Sequence, residues 1–134
     1  MKNNHNTNYT YQQVESILLG IKDCVQRGRY SISLNSNRKD NLDFIAKYKL
    51  QQKDQKKILL GIKTEDFCYA LPNEHRGYEH EILYVFVPEV NLIDAFGKDR
   101  KVAVYVKFNF IHDNDYTVVV SFHELHFPID YLFK

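Results

Sequence analysis

A chain of 134 residues with 44% hydrophobic content can bury one real core and is too short for several domains. No apolar run approaches membrane-spanning length and the first ten residues, MKNNHNTNYT, are polar, which argues against a spanning segment or a secretory leader. The net charge of +1 conceals an asymmetry: Lys22 to Lys63 holds 11 Lys/Arg against 4 Asp/Glu, whereas Thr64 to Lys134 holds 6 against 12. A basic half suits a polyanionic partner such as RNA, although lysine-rich helices that keep their outer faces wet are the plainer account. Cys24 and Cys68 lie outside any paired motif, so reduced thiols in a cytoplasmic protein are expected.

In chain order, residues 1–10 lack periodicity and are expected to form a flexible N-terminus ahead of a single domain over residues 11–134. Tyr11 to Arg27 sets Val14, Ile17, Leu18, Ile21 and Val25 at helical spacing, with Gly28 as the stop. Tyr30, Ile32 and Leu34 alternate with serines as a short strand, and Asn35 to Lys39 reads as a polar loop. Asp40 or Asn41 is the expected cap of a short helix over Leu42 to Tyr48. Gln51 to Ile62 is a third helix, with Ile58, Leu59 and Ile62 inward. Thr64 to Tyr69 reads as a further helical turn and Ala70 to His80 as a polar loop. Glu81 to Val87 is a strand, and Pro88 to Arg100 a longer connection.

Val102 to Glu124 carries the strongest pattern. Val102, Val104, Val106, Phe108 and Phe110 alternate with Ala103, Tyr105, Lys107, Asn109 and Ile111, and a second alternating run follows from Thr117. With Asp113-Asn114-Asp115 as the turn, Ile111 pairs with Thr117, and Phe108 with Val120, giving one apolar face toward the helices. The other face then sets Lys107 beside Ser121 and Tyr105 beside His123. The aromatic tail Leu125 to Lys134 is expected to pack down. The order of elements predicts a two-layer α+β domain, a mostly antiparallel sheet with helices on one face.

Few motifs carry chemistry. His123-Glu124-Leu125-His126 resembles a fragment of a metal site, but zinc needs three or four convergent ligands and six scattered histidines do not announce them, so no metal and no cofactor are expected. Gly20 and Gly61 have no phosphate-loop spacing, and no Ser-His-Asp or Cys-His arrangement stands out. Tyr105, Lys107 and His123 read either as the solvated face of a hairpin or as a site.

Thr64-Glu65-Asp66-Phe67, Val104-Tyr105-Val106-Lys107 and Val119-Val120-Ser121-Phe122-His123-Glu124 together resemble the MqsR family of toxins, RelE-like mRNA interferases of type II toxin–antitoxin systems. The resemblance runs from about Val14 to the C-terminus and includes a helix ending in Arg-Gly-Arg-Tyr at Arg27 to Tyr30. It implies a RelE-like fold and a cytoplasmic, ribosome-independent endoribonuclease that cuts mRNA and is neutralised by a cognate antitoxin, with no membrane partner. The family's strand tyrosine falls on Tyr105. A lysine that often follows Ser-Phe is His123 here, a lysine after Asp-Phe is Tyr69, and no glutamine occurs after Gln55. Metal-free RNA cleavage needs a proton acceptor, a proton donor and cations, and histidine suits proton transfer better than lysine. The resemblance thus implies Tyr105, His123 and Lys107 as catalytic residues, with Arg76, His75, Ser121 and Tyr69 toward RNA. The alternative is a catalytically silent relative that binds an antitoxin-like protein or RNA.

Overall fold

The structure is a computed structural model and describes residues 4–35 and 38–134, without the side chain of His112. The alternation from Val102 onward builds β5 (Asp99–Ile111), the central strand, with Val102, Val104, Val106 and Phe108 buried on one face. Around it lie β1 (Tyr30–Ile32), β2 (Phe67–Pro72), β3 (Ile82–Phe86), β4 (Glu89–Ile93) and β6 (Tyr116–Glu124). The six strands form one sheet in the order β1-β6-β5-β3-β2, with β4 also paired to β5. Every pairing is antiparallel except β1 with β6. Helices α1 (Tyr11–Gln26), α2 (Lys39–Lys47) and α3 (Gln52–Leu60) cover the face that carries Val106, Phe108 and Phe122. This is the expected α+β domain.

Helix α1 buries Val14, Leu18, Ile21 and Val25, the spacing that one helical stripe requires. Thr10 caps it in a capping box with Gln13, and Gly28 ends it at φ 74°. Gly20 faces the sheet, where a β-carbon would come within 2.6 Å of the Phe110 ring, so the glycine serves close packing rather than phosphate binding. No helix among the described residues is long and apolar enough to cross a membrane.

Several expectations are corrected. Phe67 to Pro72 is strand, not a helical turn and loop; only Thr64–Asp66 is helical. Its first four residues are buried, so the run shows no alternation to read. Glu89 to Ile93 forms a second hairpin with β5 through a turn at Asp94 to Lys98, where a connection was expected. Within the N-terminal stretch, Asn6 and Ala70 of β2 form one isolated bridge, exchanging both backbone hydrogen bonds at 2.6 and 2.9 Å. Residues 1–3, and Ser36 and Asn37 of the expected polar loop, lie outside the described residues.

The β5–β6 hairpin keeps the expected register at Tyr105↔His123, Val106↔Phe122 and Lys107↔Ser121, then departs from it. A bulge lets Phe108 meet Val119 instead of Val120, so Val119 enters the helix-side core and Val120 is only half-buried. Asn41 makes this possible. It lies inside α2, not at its cap, and is buried. Its amide donates to the carbonyls of Ser33 (2.9 Å) and Val120 (3.1 Å), and its side-chain oxygen accepts from the Phe122 N–H (2.8 Å). At the hairpin tip, Asp115 sits at φ 50° and binds Arg27 at 2.6 Å, while Arg29 donates to the carbonyls of Asn114 and Asp115.

Asn41→Ala should therefore destabilise the fold by about 2–4 kcal/mol, since each buried partner left unsatisfied costs about 1–3 kcal/mol. Phe122→Ala should cost about 3–5 kcal/mol. Urea unfolding followed by circular dichroism measures both, and an Asn41→Ala protein as stable as the wild type would remove the clip from this account.

Candidate functional site

No helix among the described residues covers the second face of the sheet. Tyr105, Tyr69, Val85 and Val87 form a small core there, covered in part by Leu125, Ile129 and Tyr131 of the tail. Tyr131 donates to the Val87 carbonyl at 2.7 Å, and Leu132 N–H to Phe67 at 3.1 Å, so the tail packs down as expected. Above it the uncovered strand surface bears a row of rings. His5 stacks on Tyr69 at 3.5 Å, Tyr105 on His123 at 5.4 Å, and His123 on His126 at 5.3 Å, with interplanar angles of 9°, 20° and 11°. The Tyr69 and Tyr105 hydroxyls share a hydrogen bond of 2.9 Å, which links the row across β3. The Lys107 ammonium sits 5.7 Å from the Tyr105 ring centroid, within cation–π range.

Register places these groups. Tyr105, Lys107, Ser121 and His123 are cross-strand partners on one face, as the alternation predicts. Their accessibility differs sharply. Tyr105 is 5% exposed, Tyr69 6% and Ser121 3%, whereas Lys107 and His123 are half-buried. Tyr105 thus presents neither a free hydroxyl nor an open ring face to a base. Arg76 and His75 lie on the exposed turn between β2 and β3. His75 packs on Tyr78, and no contact among the described residues joins either to Tyr105, Lys107 or His123.

Electrostatics single out Lys107. Burial, and then the nearby Arg38 charge, hold its ammonium below the usual lysine range, while Glu74 acts weakly the other way. It makes no ion pair among the described residues, so a partly desolvated cation faces the open side of the sheet. The remaining basic stretch contributes less than its composition suggests. Arg27 and Arg29 are engaged at the hairpin tip, and α1 and α3 lie behind the sheet.

His123 has a defined tautomer. Its Nδ1 lies 2.8 Å from the Glu124 carbonyl, which can only accept, so in the neutral ring Nδ1 carries the proton and Nε2 the lone pair. Beside it a cleft of about 210 Å³ is lined by Asp40, Asp43, Phe44, Lys47, Glu124 and His126. Asp40, His123 and His126 bring ligand atoms within 4.8 Å of one another there, a convergence that the sequence does not reveal. A larger groove, about 1030 Å³ between α3 and β4, contains none of Tyr105, Lys107 or His123.

Sequence reasoning missed His5, Arg38 and Asp40. His5 lies in a stretch with no pattern of its own and Asp40 read only as a helix cap, and all three reach the site through long-range packing. His126 and Phe127 had a signal, their nearness to His123 in sequence, and Phe127 packs edge-on against Tyr105 at 5.2 Å. Compared with protein-family models, curated proteins and solved structures, the chain matches none of them.

The buried phenols predict alkaline sensitivity. Burial raises Tyr84 and Tyr131 to about 12, and raises Tyr69 and Tyr105 above the ordinary value of 10.0. Above pH 10 the unfolded chain therefore binds fewer protons than the folded one, so stability held at lower pH is lost as pH rises. Lys107, shifted down, works in the opposite sense only up to its usual value of 10.5. Urea midpoints should fall steadily from about pH 10 upward, and tyrosinate absorbance should lag that of the unfolded protein. A flat midpoint over that range would contradict the burial of these phenols.

Proposed function

We propose that this chain is a toxin of a type II toxin–antitoxin module. In this reading it acts in the cytoplasm as a ribosome-independent, metal-independent mRNA endoribonuclease and is neutralised by a cognate antitoxin. The observation that carries the reading is the partly desolvated Lys107 ammonium, which makes no ion pair among the described residues, on the same open face as the His123 imidazole, both in contact with the Tyr105 ring. A cation held partly away from water and outside an ion pair gains most from binding a phosphate.

In this reaction His123 Nε2 accepts the proton of the ribose 2′-hydroxyl. The 2′-oxygen attacks the phosphorus, the bond to the 5′-oxygen breaks, and the leaving oxygen takes a proton from water. A 2′,3′-cyclic phosphate and a 5′-hydroxyl result. Lys107, with Arg38 behind it, offsets the charge that builds on the phosphate. Tyr105 is a positioning residue that holds the imidazole by stacking, and its hydroxyl stays on Tyr69. Ser121 and Tyr69 are too buried to touch RNA and support their neighbours, whereas Arg76 and His75 on the exposed turn supply outer phosphate contacts.

A second reading has its own observation. Tyr105, Tyr69 and Ser121 are closed to solvent, as in a sheet face that serves packing. That favours a silent protein of this fold which binds an antitoxin-like partner or RNA without cutting.

The test is cleavage of a labelled RNA by the purified protein in EDTA, with analysis of the ends. Cyclic phosphate ends are expected. His123→Ala should lower the rate by about 10²–10⁴-fold, the usual worth of a positioned proton-transfer group, with the circular dichroism unchanged. Tyr105→Phe should stay within a few-fold of wild type. Cleavage that needs added metal, or that persists in His123→Ala, would overturn the mechanism, and tight antitoxin binding without any cleavage would select the second reading.

Lys107→Met should weaken RNA binding and flatten its salt dependence by about one unit of the log–log slope, the share of one phosphate contact. Filter binding over a salt series measures it. An unchanged slope would take Lys107 off the phosphate.

A further inference from the structure

We infer that Asp40, His123 and His126 form a binding site for a divalent transition-metal ion of the zinc type. Their ligand atoms lie within 4.8 Å of one another although Asp40 is more than eighty positions away in the chain. His123 ends β6 and His126 follows it in the tail, while Asp40 comes from the first turn of α2. The three converge on the small cleft between α2 and the end of β6.

Two features set the site up in advance. Asp40 is next to Asn41, whose three hydrogen bonds to Ser33, Val120 and Phe122 pin this turn of α2 against β6. His123 donates from Nδ1 to the Glu124 carbonyl at 2.8 Å, which leaves Nε2 as a ligand with its orientation held by an outer partner. The other acids of the cleft are engaged, Asp43 with Lys39 at 3.3 Å and Glu124 with Lys47 at 2.8 Å. Asp40 makes no ion pair among the described residues. Two imidazoles and one carboxylate favour zinc and its transition-metal neighbours over calcium or magnesium, which take oxygen ligands, and solvent supplies the fourth position.

The site stands apart from the nuclease reading, yet it bears on it. One nitrogen of His123 cannot hold a metal ion and accept a proton at the same time. If the chain cuts RNA as proposed, zinc inhibits it, and His126→Ala, which leaves the proposed reacting groups in place, abolishes that inhibition.

The experiment is calorimetric titration of ZnCl₂ into untagged, EDTA-stripped, dialysed full-length protein, with visible absorption of the Co²⁺ form as a second readout. One ion per chain is expected, with d–d bands of a four- or five-coordinate nitrogen and oxygen site. Asp40→Ala and His126→Ala should each weaken binding by roughly ten- to a hundredfold or more, while His75→Ala should not. Absence of stoichiometric zinc binding, or wild-type affinity in both Asp40→Ala and His126→Ala, overturns the site. Neither outcome depends on whether the protein cleaves RNA.

Discussion

A single buried carboxamide ties together the parts of this molecule that face the candidate site. Asn41 binds β1 through Ser33 and β6 through Val120 and Phe122. It does so where β6 has one residue more than its partner strand. A bulge in a central hairpin leaves backbone groups with no ladder partner, and a buried unpaired group is costly enough that the bulge needs a side chain to satisfy it. With Asn41 in place, Val119 and Phe122 both reach the helix-side core, and the strand ahead of the bulge keeps Tyr105 opposite His123. The same clip fixes where α2 begins on the sheet, and so where Arg38 and Asp40 stand.

The chemistry of the uncovered face follows from partial burial. Tyr69 and Tyr105 satisfy each other's hydroxyls, so two polar groups are held under rings at little cost. Lys107 has no such partner among the described residues. Its ammonium sits over the Tyr105 ring, 5.7 Å from the centroid, with Arg38 adding to the field. His123 occupies the boundary between that cation and the acidic cleft under α2, so one imidazole borders two different environments.

The basic half of the chain shows why charge counts translate poorly into surfaces. Arg27 and Arg29 spend their donors on the turn between β5 and β6, where Arg27 holds the Asp115 carboxyl below the usual carboxylate range. Arg29 holds the Asn114 and Asp115 carbonyls of that turn, where Asp115 takes a left-handed conformation. Two of the arginines that make this half of the chain basic are in space a clamp on a hairpin.

Much was legible from local pattern. The stripe of α1, the alternation of β5, the inward residues of α3 and the facing of Tyr105, Lys107, Ser121 and His123 are set by periods of 3.6 and two, which any few consecutive residues display. The α+β class followed from the order of those elements. Tertiary structure alone decided the rest. β2 hides because both its faces are buried, and β4 because it is a strand only by virtue of lying beside the start of β5. The bulge, the pairing of Asn6 with Ala70, the closure of Tyr105 to solvent and the meeting of Asp40 with His123 and His126 all join residues far apart in the chain. Local spacing carries periodicity and therefore faces. It carries no information about which distant group arrives to satisfy, cover or complete them.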